Sequence, residues 1–350
     1  MPQYPAQPAT RRSYQFALFI AGILWILAAE SAASRSAQGI ATRLNLPLFE
    51  ELLHQSFVLF LLLCGFATLR WIATRTYSDI RAINALPSRP TAFQEWQRGV
   101  ALGWGMLLAA LIPMMLFGTL HPQFSLGAHN WGLAFLSIAT IALTSLTLEV
   151  AFRGFLFARL IAAIGTTPAT ILLSIIYAYI SASRPNSTGL SILVSFLLAL
   201  LFSQAYLRTH ALWLGWGMHF AWNAAMAIVF GLPIAGYATY DNLVITSTTG
   251  PDWLTGGAYG PEAAFFTLIV LIIAMLVLHR ITRTYAWNYT HAPIISAGYP
   301  MDIAPPAAHT AMEATAAPAP LVQILSSTPT TSSTMPVIDE HLRRDNDPND

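Results

Sequence analysis

The sequence predicts an all-α, polytopic integral membrane helix bundle with about eight transmembrane helices. Three observations carry that prediction: scarce charge, long apolar runs, and arginines that alternate between connections. Hydrophobic residues make up 55% of the 350-residue chain and charged residues 9%, against roughly 25% charged in a soluble domain. So few charges cannot coat a surface that faces water, and lipid is therefore the solvent for most of the chain. In hydrocarbon the backbone polar groups must be paired internally. No strand alternation accompanies the apolar runs, so they are read as helices.

A bilayer core about 30 Å thick needs roughly 20 apolar residues at about 1.5 Å each. Eight stretches reach or approach that length. The first, 14–33, follows Arg11 and Arg12. Paired arginines before an apolar run are similar to an export signal, but the many later spans favour an uncleaved first helix. The second, 56–73, is entered through Glu50, Glu51 and His54, and leads into a connection bearing Arg70, Arg75, Arg81, Arg89 and Arg98. The third, 99–120, is followed by no arginine before the fourth. The fourth, 132–160, is the longest; it contains Glu149 and Arg153 and is closed by Arg159. The fifth, 168–183, is followed by Arg184, and the sixth, 190–207, by Arg208. The seventh, 212–232, holds His219 and Asn223. The eighth, 262–279, precedes Arg280 and Arg283.

Alternate connections are thus rich in arginine, and those between are poor, with only Arg35, Arg43 and Arg184. The excess of positive charge on cytoplasmic loops places both termini in the cytoplasm. Trp71, Trp96, Trp131, Trp213, Trp216 and Trp253 fall near the expected ends and are read as headgroup-level anchors. Residues 1–13 form a cytoplasmic tail and 14–120 three spans without legible chemistry. Residues 131–280 form a five-span unit. Beyond it, 285–350 is rich in Pro, Ala and Thr. That tail buries too little apolar surface to offset its ordering entropy and is expected to be disordered.

Net charge is +1, which suggests no nucleic-acid partner. The single Cys64 excludes an intrachain disulfide and any cysteine-based metal cluster. The informative residues are polar groups inside the spans, where each is expensive and usually faces the bundle interior or a wet cavity. Glu149 and Arg153 are four apart, so they share a helix face and can pair. His219 and Asn223 have the same spacing. A histidine can move protons near neutral pH, and an asparagine amide can donate to a developing oxyanion. Each pair also has a plain reading, an internal ion pair that locks packing or interhelical hydrogen bonding. Glu50, Glu51 and His54 could seed a metal site, but acidic residues at a helix start are explained by the helix dipole.

The residues from Gly132 onward resemble the CAAX-protease and bacteriocin-processing (CPBP) family of intramembrane proteases. Its first motif, E-E-x-x-x-R, aligns with Leu148-Glu149-Val150-Ala151-Phe152-Arg153-Gly154. Its second, an aromatic residue followed four later by His, aligns with Tyr177 to Ser181. Its third, H-x-x-x-N, aligns with His219 to Asn223, and Leu254 to Glu262 is similar to a connector of many bacterial members. The resemblance implies an intramembrane endopeptidase in 131–280, in a bacterial inner membrane. It implies catalytic positions at Glu149, Arg153, His219 and Asn223, and a prenylated or membrane-helix peptide as partner beside the lipid bilayer. In the family the first Glu and the second-motif His activate water, and the third-motif His and Asn support the oxyanion. Here those water-activating positions are Leu148 and Ser181. A zinc ion fits poorly, because Glu149 and His219 fall short of the usual three protein ligands.

Three functions follow. The leading one is a catalytically impaired member that binds without cutting. The second is an active protease in which Glu149 turns to serve as base with His219; adjacent helical residues lie about 100° apart, which opposes it. The third is a transporter with an intramembrane proton path, weakened by the lack of matching broken spans.

Overall fold

The structure, a computed structural model, describes residues 9–76, 79–237 and 243–283. The expected disordered tail lies outside the described residues. The chain runs α1 (Ala9–Leu44), α2 (Glu50–Thr74), the short α3 (Ile80–Ile83), α4 (Ala92–Phe117), strand β1 (Thr119–Phe124), α5 (Ala128–Arg153), α6 (Phe155–Ile164), α7 (Thr166–Ala182), α8 (Gly189–Thr209), α9 (Trp213–Ala224), strand β2 (Val244–Thr249), α10 (Asp252–Thr255) and α11 (Phe265–Ile281). It is a membrane helix bundle. Among the described residues five helical stretches are long and apolar enough to cross a bilayer, and α7 and α11 are shorter apolar helices.

The helix ends follow local chemistry. Glu50 and Glu51 occupy the first turn of α2, and Arg43 the last turn of α1, each where the helix dipole favours that sign. Thr188 and Ser191 form a reciprocal capping box at the start of α8. The single fourth span expected over 132–160 is broken at Gly154, whose backbone leaves the helical region, so that α5 and α6 are separate segments. The seventh is interrupted too: α9 passes into a π-helical turn, Ala225–Val229, directly after the His219–Asn223 pair. Such turns concentrate near functional sites. The third ends at Phe117 rather than 120, and the eighth begins at Phe265 rather than 262.

One feature departs from the all-helical expectation. β1 and β2 pair antiparallel, Thr119 opposite Thr249 through Phe124 opposite Val244. Both strands lie in connections, outside the apolar runs. Their partners are more than a hundred residues apart in sequence, so only the packed bundle brings them together.

Two cores organise the molecule. Leu107, Met114, Phe202, Met218, Trp222 and Leu271 pack α4, α8, α9 and α11 together. Phe19, Leu62, Phe66, Phe155, Phe157 and Leu173 pack α1, α2, α6 and α7. The most extensive helix contact is between α4 and α9. There the backbones nearly touch: a Cβ on Gly99 would lie 2.2 Å from the Leu214 carbonyl oxygen, and one on Gly217 2.2 Å from that of Trp96. Small residues allow such approach in membranes, where dispersion contact rather than water exclusion drives helix association. This approach sets the depth and rotation of α9, and so of His219. Trp71, Trp131 and Trp253 are exposed as anchors would be, whereas Trp213 and Trp216 donate their indole N–H to the carbonyls of Pro87 and Ala142, both at 3.0 Å.

Gly99→Ala should therefore lower the thermal stability of the detergent-solubilised protein, by about 1–3 kcal/mol for overpacking a fitted contact. Gly105→Ala on the same helix meets nothing within 4 Å. It should leave stability unchanged or raise it slightly, as measured by thermal unfolding of both variants.

Candidate functional site

The site is built where α5, α8 and α9 meet. Glu149 and Arg153 lie one helical turn apart near the end of α5, with residue exposures of 1% and 0%. Arg153 Nη1 donates to Glu149 Oε1 at 3.2 Å, and Nη2 donates across to the Ala199 carbonyl of α8 at 3.3 Å. The guanidinium also lies over the rings of Phe202 and Tyr177, at 5.2 and 5.5 Å. From α9, His219 Nδ1 lies 2.9 Å from the same Glu149 Oε1, a distance at which a protonated Nδ1 donates to the carboxylate. The His219 ring stacks on Phe202 with centroids 4.7 Å apart. One carboxylate oxygen therefore joins two helices, and its guanidinium partner a third.

This arrangement fixes the Glu149 carboxylate. Its Oε1 is held between Arg153 and His219, and fixing Nδ1 leaves Nε2 as the remaining polar atom of the imidazole. Asn223, one turn further along α9, lines a cavity of about 500 Å³ together with His219, Leu148, Tyr177 and Thr144. That volume is in the range of small-ligand pockets, about 300–1,000 Å³. Of the sequence-predicted residues, Glu149, Arg153 and His219 are in direct contact, and Asn223 shares the cavity with His219.

The two departing positions differ from each other. Leu148 faces the cavity. Ser181, at the end of α7, is fully buried, with its hydroxyl hydrogen-bonded to Ser195 at 2.7 Å and Tyr259 at 2.9 Å. A hydroxyl cluster thus occupies the second-motif position. Glu50, Glu51 and His54 are apart from the ion cluster: His54 Nε2 lies 3.1 Å from Glu30 of α1. Glu51 nevertheless reaches the cavity lining, so the N-terminal helices contribute more than packing.

Two residues of the site were missed by sequence reasoning. Glu262 lies in the turn before α11, is buried, and lines the cavity. Its Oε1 accepts a hydrogen bond from Trp222 Nε1 at 3.0 Å. Tyr259 comes from the same connector. Both lie in the Leu254–Glu262 stretch that resembles a family connector, and Glu262 stands at the very start of an apolar run, but neither was given a site role. Arg184, from the α7–α8 connection, completes the mouth. Burial opposes its charge, but Tyr177, Glu262 and Tyr259 hold its pKa above the ordinary arginine value. It is a permanent cation there.

The donor set does not suit a metal ion. Glu149 Oε1 is shared by a guanidinium and an imidazole, and among the described residues no group of three or more His, Cys, Asp or Glu is arranged to hold one.

Removing one partner of a buried ion pair leaves an uncompensated charge, typically at about 3–5 kcal/mol. Arg153→Met should accordingly lower thermal stability in detergent by several kcal/mol, whereas Arg35→Met, at an exposed position, should change it by less than about 1 kcal/mol.

Residues 130–225 match the family model described as type II CAAX prenyl endopeptidase Rce1-like. No curated protein and no solved structure matches the chain. The matched stretch runs from α5 through α9, contains Glu149, Arg153, His219 and Asn223, and ends before Tyr259 and Glu262. Residues 130–225 are therefore similar to the Rce1-like type II CAAX prenyl endopeptidases, the same likeness that the CPBP-family motifs of the sequence carry.

Proposed function

We propose that this protein binds a polypeptide segment in the cavity beside Glu149 and His219 and that hydrolysis there is impaired. The observation that carries the reading is the pair of replaced positions. Leu148 presents a hydrocarbon side chain to the cavity where the family has a carboxylate, and leucine accepts no proton. Ser181 is tied to Ser195 and Tyr259. General-base assistance is worth about 10²–10⁴-fold in rate, and neither residue supplies it. His219 and Asn223 retain the polar wall that would meet a peptide carbonyl. Prenylated and membrane-helix peptides are the candidate ligands that the family match suggests. In this reading the chain crosses a bacterial inner membrane eight times with both termini in the cytoplasm, α5 with α6 and α9 with its π turn each counting as one crossing.

A second reading is favoured by Glu262, a cavity carboxylate outside the family motifs. Acting as base, it would take a proton from water. The water oxygen would attack the peptide carbonyl carbon, with His219 and Asn223 donating to the oxyanion. The C–N bond would then break, and the proton on Glu262 would pass to the leaving amine.

The test is cleavage of prenylated and membrane-helix peptides by purified protein in lipid. Wild type is compared with Glu262→Gln, Glu149→Ala, and Leu148→Glu combined with Ser181→His. The expected result is no cleavage by wild type, retained peptide binding, and cleavage by the combined variant. Wild-type cleavage lost in Glu262→Gln would replace the leading reading with the second. Wild-type cleavage that survives Glu262→Gln but is lost in Glu149→Ala would point to Glu149 as base instead.

A further inference from the structure

The bundle has a basic end and an open end, and they are opposite. At the basic end the arginine-bearing segments are tied to one another. Arg159 of α6 donates to Gln15 near the start of α1 at 2.8 Å, Arg208 at the end of α8 donates to Thr282 after α11 at 3.2 Å, and Arg89 donates to the Thr209 carbonyl at 3.0 Å. The start of α1, the ends of α2, α8 and α11 and the start of α4 all belong to this end. The other end joins the end of α1 to the start of α2, and the end of α7 to the start of α8. It also holds the paired strands β1 and β2. Among the described residues its arginines are Arg35, Arg43 and Arg184.

The cavity mouth is at this second end. Arg184 comes from the α7–α8 connection, Glu51 from the first turn of α2, Tyr237 from the segment after the π turn, and Glu262 from the turn before α11. Leu148, His219 and Asn223 line it further along their helices. Arginine-rich connections of this length are retained on the cytoplasmic side, so the two ends face different compartments.

We propose that the cavity opens on the non-cytoplasmic face and receives a polypeptide that has already left the cytoplasm, with Arg184 pairing to a carboxylate or carbonyl oxygen of that ligand. The choice of a polypeptide rests on the binding function proposed above; the side of entry rests on the arginine distribution and the cavity lining. The mouth is not a simple anion trap, because Glu51 and Glu262 line the same cavity as Arg184. Donors and acceptors of both signs suit a peptide backbone and its terminus.

The test uses the full chain with Cys64→Ala and one reporter cysteine at a time, expressed in bacterial cells. Tyr237→Cys and Trp253→Cys report on the open end, where both native side chains are exposed; Arg280→Cys reports on the basic end. A membrane-impermeant maleimide should label the first two in intact cells and Arg280→Cys only after permeabilisation. Labelling of Arg280→Cys alone in intact cells overturns the side of entry, whatever the ligand. Peptides with free C-terminal carboxylates, prenylated and unprenylated, added outside should slow labelling of Tyr237→Cys but not of Trp253→Cys. Arg184→Gln should abolish that protection. Correct-sided labelling with no protection by any peptide overturns the ligand class and the binding function, and leaves the orientation standing. Protection that persists in Arg184→Gln overturns the role of Arg184.

Discussion

The interaction on which the site depends is the buried Glu149 carboxylate, shared by Arg153 and His219. An isolated charge in a hydrocarbon-like interior is prohibitive, and the group survives ionised only with a partner and hydrogen bonds. Arg153 supplies both, and its second hydrogen bond to Ala199 couples α5 to α8. His219 couples the same carboxylate to α9. Three helices are therefore held in one register by a cluster of polar atoms, in a medium where apolar packing alone specifies register weakly.

That register depends on a second constraint, the close α4–α9 approach. Dispersion forces fall steeply with distance, and only side-chain-free faces let two backbones come this near. Through this approach α4 controls where His219 sits. The cluster and the close packing divide the work. The cluster ties α5, α8 and α9 to one another, and the close packing sets how α9 sits against α4.

The Leu148 and Ser181 replacements are consistent with this division. What is kept, Glu149, Arg153 and His219, is also what holds the helices together. Leu148 and Ser181 stand outside that cluster. Leu148 packs at a cavity wall without leaving a buried charge. Ser181 fills its place with short hydrogen bonds to Ser195 and Tyr259, so its polar atom is satisfied. Neither residue takes part in the Glu149 cluster, so their identity need not disturb the fold.

Much of this was legible in the chain itself. Apolar run length located the helices, because the bilayer sets a minimum length and forbids unpaired backbone. The four-residue spacing identified Glu149 with Arg153, and His219 with Asn223, as pairs on common faces. These are local or solvent-imposed rules, readable without knowing what packs against what. The breaks at Gly154 and after Ala224 were not legible, since both lie in continuous apolar sequence whose interruption is decided by neighbouring helices. The strand pair was hidden for a similar reason, its halves meeting only across the folded bundle. Glu262 shows the limit best: read as the first residue of a span, it became a cavity residue only when the connector turned it toward Trp222. Sequence alone determined the class of fold and the identity of its buried charges. Tertiary structure alone decided which of those charges meet, because contact between helices depends on distances and rotations that no local pattern encodes.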